Sequence, residues 1–80
     1  MAMRIEYDRQ ADAIYVNVND GEHARTVEVA PIEIYVDVDA EGRTLGVEFL
    51  SFATFARYIE VHGGLNFPEC FTGPESLVPA

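Results

Sequence analysis

The sequence predicts the α+β class, with a small antiparallel β-meander of about five strands followed by one C-terminal helix packed on one sheet face. Through residues 3–50 apolar and polar side chains alternate, which is the period of a strand with one buried face. After Ser51 the apolar residues recur every three or four positions, as in a helix. We therefore expect a single domain over 1–80, with the meander at 3–50, the helix at 51–62 and an irregular tail at 65–80.

The first hairpin is predicted by apolar residues that alternate with polar ones on both sides of a polar turn. Asp8 and Asp12 flank that turn, and either carboxylate could accept hydrogen bonds from nearby backbone N–H groups. A third strand, Arg25 to Val29, follows the turn signal Asn19-Asp20-Gly21. Pro31 should end that strand or mark it as a sheet edge, since proline has no backbone N–H. The alternating apolar positions of the hairpin are Met3, Ile5, Tyr7, Ile14, Val16 and Val18.

Residues 34–50 fit two patterns. One is a second hairpin, with alternating strands on either side of Ala40-Glu41-Gly42-Arg43. The other is a calcium-binding loop, whose spacing requires carboxylates at the first, third, fifth and twelfth positions and glycine at the sixth. In that second pattern the metal-ligand candidates are Asp37, Asp39, Glu41 and Glu48.

We favour the hairpin for this segment, because the flanks alternate with period two whereas a calcium loop of this kind is held between helices. In a hairpin, Asp37 and Glu48 lie on paired strands and do not surround one point. Gly42 then supplies the positive φ of the turn while the carboxylates face water. We expect no dedicated metal site here, and weak, nonspecific cation binding at most.

The helix over 51–62 has Ser51 as its expected N-cap and Gly63-Gly64 as its expected stop. We expect Phe52, Phe55 and Ile59 to pack it on the sheet. The full apolar stripe consists of Phe52, Phe55, Ala56 and Ile59. The tail beyond has no period, although three of its apolar residues could pin it against the domain: Leu65, Phe67 and Phe71.

An internal regularity relates the two hairpins, because a shift of 31 residues lays Ile5 on Val36 and Val16 on Val47. Asp8 then falls on Asp39. Two interpretations of this regularity are open. One is that the hairpin has been duplicated. The other is that any two hairpins with turns of equal length place their apolar residues at matching positions.

The charge balance restricts the possible partners. The chain has fourteen acidic residues, five arginines and no lysine, which gives a net charge of −9. Nucleic acids and anionic membranes would be repelled, and no basic cluster overcomes that repulsion locally. Basic proteins or cations are suitable partners. The alternative is that the acids only keep a small domain soluble.

The histidines and the single cysteine have ordinary structural roles. His23 and His62 lack metal-ligand spacing, and His62 falls at the helix end, where a partly charged imidazole favours the dipole. Cys70 has no partner for an intrachain disulfide and no neighbour that marks it as a nucleophile. The first residues show no signal peptide or membrane span. We therefore expect a cytoplasmic protein without cofactors.

The sheet face opposite the valines carries tyrosines and polar groups. Tyr15, Asn17 and Tyr35 project there and are our interface candidates. One helix cannot cover both faces, so we expect a homodimer. A tyrosine–carboxylate site could in principle do acid–base chemistry. No phosphate loop, nucleophile elbow or metal-ligand pair accompanies it, and we expect no enzyme.

Two motifs occur together in this chain: a Tyr-Asp-x-x-Ala-Asp-Ala hairpin, and an acidic Asp-x-Asp-x-x-Gly turn running into Gly-x-Glu. The matching residues are Tyr7, Asp8, Ala11, Asp12, Ala13, Asp37, Asp39, Gly42, Gly46 and Glu48. In this pattern the chain resembles the short prokaryotic domain-of-unknown-function family 2283 over about residues 3–52. It departs from that family at the 30–33 link and in the tail after Gly64.

The resemblance implies no established activity. Proteins of this family are thought of as lying beside small toxin-like proteins, and by that analogy the resemblance implies that this chain is an acidic partner that neutralises such a protein. We therefore expect an uncharacterised small acidic, non-enzymatic domain that acts as a protein-interaction module, with neutralisation of a basic protein as one form of that role. The alternative is a small acidic divalent-cation-binding protein that uses the 37–48 turn.

Overall fold

A computed structural model describes residues 3–30, 33–71 and 73 of the chain. The predicted strand Arg25 to Val29 and the predicted helix over 51–62 are present within one residue of their expected bounds, and both predicted hairpins are present. The predicted Pro31 break and residues 72 and 74–80 of the predicted tail lie outside the described residues. The elements are β1 (Arg4–Asp8), β2 (Ala13–Asn17), β3 (Arg25–Ala30), β4 (Ile34–Val38), β5 (Thr44–Phe49) and α1 (Phe52–His62).

The five strands form one antiparallel sheet in the order β1-β2-β5-β4-β3. The predicted α+β class is confirmed, but the strands are not in sequential order, and only β3-β4-β5 is a meander. Strand β5 lies in the centre because it pairs with both β2 and β4. Its burial suits that position, since every residue of β5 except Glu48 is buried.

The core lies between the sheet and α1. Five residues of the inner face have no exposed surface: Val16, Val36, Val38, Val47 and Phe49. Leu65, Phe67 and Phe71 of the tail pack against the same cluster, as predicted. Two hydrogen bonds hold the tail beside the second turn, because Thr44 N–H donates to Glu69 C=O at 2.9 Å and Phe71 N–H donates to Gly42 C=O at 2.8 Å.

The helix begins and ends as the sequence predicts. Ser51 Oγ accepts a hydrogen bond from Thr54 N–H at 3.1 Å, and Gly63 ends the helix in the left-handed conformation at φ 72°. With 11 residues, α1 falls short of the ~20 apolar residues that a membrane-spanning helix needs. None of the described residues belongs to a helix that is long and apolar enough to cross a membrane.

The buried face of α1 differs from the predicted stripe. Phe55 packs against the core as expected, but Phe52 is 54% exposed and lies outside the core, with its ring against Tyr7 of β1. Ala56, also on the predicted stripe, is exposed. Tyr58 is the buried residue of α1, and its ring centre lies 5.3 Å from that of Phe49. Burial of a tyrosine is favourable here because its hydroxyl donates to the Asn66 carbonyl at 3.1 Å.

The two hairpins repeat each other in register. Within the first, Ile5 pairs with Val16, and 31 residues later Val36 pairs with Val47. The agreement ends at a register shift after Asp37. Val16 also pairs with Val47 across the β2–β5 contact, so each hairpin meets the other at equivalent residues. This local pseudo-twofold arrangement favours the duplication interpretation, because equal turns alone do not impose it.

Candidate functional site

The sheet face opposite α1 is polar, and we call it the polar face. No helix or strand among the described residues covers it. Because alternate strand residues share a face, the register places twelve residues on it: Arg4, Glu6, Asp8, Ala13, Tyr15, Asn17, Thr26, Glu28, Tyr35, Asp37, Gly46 and Glu48. The three predicted interface residues, Tyr15, Asn17 and Tyr35, are thus brought to one surface.

The ring of Tyr15 crosses the central strand above Gly46. Its hydroxyl donates a hydrogen bond to Asp37 Oδ2 on β4 at 2.9 Å. A Cβ atom at Gly46 would overlap the Tyr15 hydroxyl and Cζ. Gly46 is therefore the residue that lets one tyrosine span three strands, which explains a glycine in the middle of a buried strand.

Asp37 extends this contact to the sheet edge. Its Oδ1 accepts a hydrogen bond from Thr26 Oγ1 at 2.6 Å and lies 3.4 Å from His23 Nε2. The Thr26 hydroxyl oxygen lies 2.9 Å from the same histidine nitrogen. Since the Thr26 hydrogen is directed to Asp37, Nε2 of His23 must carry the hydrogen that this oxygen accepts. A continuous polar network thus runs from β2 across the sheet to the loop before β3.

The environment keeps Tyr15 protonated. Burial first, and then the hydrogen bond to Asp37, raise the pKa of Tyr15 above its ordinary value of 10.0, and the Glu48 and Glu6 carboxylates raise it further. A phenol in this setting is a hydrogen-bond donor at physiological pH and does not act as a base. The network therefore fixes the position of the Tyr15 ring on the polar face.

The other predicted interface residues lie beside this network. The Tyr35 hydroxyl donates to Glu28 Oε2 on the neighbouring strand at 3.1 Å. Asn17 is half-buried and lies opposite Gly46 in the β2–β5 register. The two tyrosines lie on either side of Glu48 in the register, and each hydroxyl group donates to a carboxylate.

A small cleft opens at the β1–β2 end of the polar face. Its volume is about 260 Å³, and its lining includes three carboxylates, those of Glu6, Asp8 and Glu48, beside the Tyr15 ring. Carboxylates in a concave site favour cationic groups. The cleft is not evident from the sequence, because Glu48 follows the first hairpin by more than thirty residues and is brought there only by the β2–β5 pairing.

The residues that fit the calcium-loop spacing belong to a hairpin, as expected, with Asp37 on β4, Glu48 on β5, and Asp39 and Glu41 between the two strands. Asp39 Oδ1 accepts hydrogen bonds from the backbone N–H groups of Glu41 at 3.0 Å and Arg43 at 2.8 Å. Gly42 has φ 83°, as expected. Among the described residues no group of three or more histidine, cysteine, aspartate or glutamate side chains could hold a metal ion together. We therefore do not propose a cation site at Asp37, Asp39, Glu41 and Glu48.

His62 and Cys70 lie away from the polar face. The His62 ring stacks on Tyr58 with ring centres 3.9 Å apart, and its Nδ1 is 3.0 Å from the Tyr58 carbonyl oxygen. Cys70 is exposed, and its backbone forms an isolated bridge with Arg43. Both residues therefore belong to the packing of the helix end and the tail.

The chain matches the model of a known protein family. The model of the family described as "Protein of unknown function (DUF2283)" matches residues 4–52, which is more than half of the 80-residue chain. No curated protein and no solved structure matches the chain. The matched range covers the whole sheet and ends at the first residue of α1.

Proposed function

This chain belongs to the DUF2283 family of proteins of unknown function, and we propose that it is a non-catalytic interaction module whose polar face binds a basic protein. The observation that carries the proposal is the concentration of carboxylates on a sheet face that no described element covers. Five acids lie on that face: Glu6, Asp8, Glu28, Asp37 and Glu48.

The electrostatics of this face suit a partner rich in arginine or lysine. Arg4 is the one arginine among its strand residues, and its Nε lies 3.6 Å from Glu6 Oε2 at the sheet edge. The net charge of −9 adds a long-range attraction for cationic surfaces. Complementary charge of this kind raises association rates and selects against acidic partners.

The tyrosines give the face a contact surface that is already ordered. Tyr15 and Tyr35 each hold a carboxylate through the hydroxyl group, at 2.9 and 3.1 Å. Little side-chain freedom remains to be lost on binding, which lowers the cost of association. Tyrosine is enriched in the central parts of protein interfaces for this reason. We also propose the cytoplasm as the compartment, since the exposed Cys70 thiol is kept reduced there.

The test compares two variants of equal charge. Glu6, Glu28 and Glu48 are changed to glutamine in one, and the exposed Glu33, Glu41 and Glu60 in the other, so each has a net charge of −9 + 3 = −6. Both are titrated with an arginine-rich peptide at physiological ionic strength, where the Debye length is about 8 Å.

We expect the polar-face variant to bind the peptide roughly tenfold more weakly than the control variant, because contacting charges survive screening better than distant ones. Equal losses in the two variants would show that the peptide responds only to net charge, and the polar face would then have no special role. Circular dichroism checks that both variants remain folded.

A further inference from the structure

Strand β1 lies at an edge of the sheet, where no described strand pairs with its outer side, and its apolar side chains are unusually exposed. All five of its residues are exposed. On the side that faces α1, Met3, Ile5 and Tyr7 are 44%, 52% and 50% exposed, and Phe52 at the start of α1 is 54% exposed. The rings of Tyr7 and Phe52 are in edge-to-face contact at 6.3 Å. Together these residues form a contiguous apolar patch, which in a soluble domain indicates an interaction site.

The backbone of this edge is available for strand pairing. N–H and C=O groups of successive strand residues point to opposite sides. Val18 N–H donates to Leu45 C=O on β5, so by alternation Tyr15 directs its groups to β1, where it pairs with Glu6. Ile5 and Tyr7, the neighbours of Glu6, therefore direct their backbone N–H and C=O groups away from the sheet.

The other edge of the sheet is less suited to pairing. Strand β3 has a register shift between Glu28 and Ala30, and such an irregularity twists an edge away from further strands. The β1–β2 register, by contrast, is regular over all five pairs. Asp39 N–H donates to Arg43 C=O in the turn between β4 and β5, so by the same alternation Val38 directs its groups to β3, where it pairs with Arg25. Arg25 and Val27 therefore face β4, and Thr26 and Glu28 have outward-facing groups.

The sequence of β1 is complementary to itself in antiparallel pairing. If Ile5 lies opposite the Ile5 of a second copy, Arg4 lies opposite Glu6 on the polar face, and the same pair forms twice. On the apolar side, Met3 then lies opposite Tyr7. Opposite charges and apolar groups in directly facing positions stabilise paired strands.

We propose that a second copy of this chain pairs with β1 in antiparallel orientation, centred on Ile5, to form one continuous ten-stranded sheet. The twofold axis passes midway between the two Ile5 residues and is perpendicular to the sheet, so both apolar patches meet on one side and both polar faces lie on the other. The homodimer expected from the sequence is thereby assigned to the sheet edge. The polar face, with Tyr15 and Tyr35, remains accessible to another partner. This assignment does not depend on the existence of a basic partner.

Charge exchange at the paired positions tests the proposal. Sedimentation equilibrium over a dilution series gives the dimer Kd of the wild type, Arg4→Glu, Glu6→Arg and the double variant R4E/E6R. Each single variant places like charges opposite each other twice, and we expect its Kd to rise about tenfold. The double variant restores opposite charges and should dimerise like the wild type. An equimolar mixture of the two single variants should form heterodimers.

Two further variants show whether the dimer contact lies at β1. Arg57→Glu makes the same change in net charge as Arg4→Glu on the exposed face of α1 and should leave the dimer intact. Ile5→Lys places two lysines opposite each other at the centre and should give a monomer throughout the dilution series. Because Ile5 is 52% exposed, that variant should keep its fold by circular dichroism. A monomeric wild type, or single variants that dimerise as well as the wild type, would overturn the proposal.

Discussion

The two hairpins of this domain share one register and have different surroundings. Ile5 and Val36 are equivalent by the shift of 31 residues, yet Ile5 is 52% exposed and Val36 is fully buried. Val36 lies between two strands, because β3 pairs with the outer side of β4, whereas no described strand pairs with the outer side of β1. The comparison shows that a strand's place in the sheet, and not its alternation of apolar residues, decides how much of it is buried.

The largest expected effect comes from matched truncations at these equivalent positions. Val36→Ala should lower the free energy of unfolding by roughly 2–3 kcal/mol, because it removes fully buried methyl groups and leaves a cavity. Ile5→Ala should lower it by less than about 0.5 kcal/mol in the monomer, as an exposed position does. Urea unfolding in dilute solution measures both. Similar losses at the two positions would show that the hairpins are equally buried and remove the contrast.

A second prediction concerns the glycine under the Tyr15 ring. Gly46→Ala should cost about 2 kcal/mol, because the ring must leave its place and the bond to Asp37 is lost. With Tyr15→Ala as background, the same change should cost less than about 0.5 kcal/mol, since no ring remains to be displaced. A double-mutant cycle measured by urea unfolding gives the coupling. If the two changes were additive, the Tyr15 ring would not depend on Gly46.

The turns offer a third comparison, between the equivalent Asp39 and Asp8. Each accepts two backbone hydrogen bonds, from Glu41 and Arg43 in the second turn and from Gln10 and Ala11 in the first. Asp39→Ala should cost about 1 kcal/mol, because the bond from Arg43 is partly buried and its loss leaves that N–H unsatisfied.

Asp8→Ala should cost about half as much, since water can replace bonds at an exposed turn. Thermal unfolding of the two variants and of Glu33→Ala, an exposed control, measures the difference. A larger loss at Asp8 would show that the first hairpin depends more on its turn than the second, which is the reverse of the expected order.

The smallest expected effect is at high pH. Burial raises the pKa of Tyr58 from 10.0 to about 12, so the folded protein keeps a proton that the unfolded chain releases. The contribution of protonated Tyr58 to the free energy of unfolding is therefore complete below pH 10 and is lost as the pH rises through 12. Tyr58→Phe should therefore flatten the fall of stability in that window. Tyr7→Phe, at an exposed tyrosine in the first hairpin, should flatten it less. Equal pH profiles for Tyr58→Phe and the wild type would contradict the burial of Tyr58.

The local elements of this fold could be predicted from the sequence because each rests on neighbouring residues. The Ser51 cap, the Gly63 stop and the Gly42 turn all act within four residues of their own position. The strand order could not be predicted, since alternation shows that a strand has two faces and not which strand it pairs with. The central place of β5 is evident only from pairing.

The polar face could be predicted in part. Alternation places Tyr15 and Tyr35 on one side of the sheet, and that placement is confirmed by the register. The bond from Tyr15 to Asp37 and the role of Gly46 depend on β4 and β2 both flanking β5, which the sequence does not reveal. Burial of Tyr58 could not be predicted from the apolar stripe, because it depends on a partner for the hydroxyl group that Asn66 provides from beyond the helix.

The most direct test of the unequal edges is amide hydrogen exchange by NMR at low and high protein concentration. If a second copy pairs with β1, the amides of Ile5 and Tyr7 should exchange more slowly as the concentration rises. The outward-facing amides of Thr26 and Glu28 on β3 should exchange at a constant rate. Exchange at Ile5 and Tyr7 that does not change with concentration, or protection that develops on β3 instead, would contradict pairing at the β1 edge.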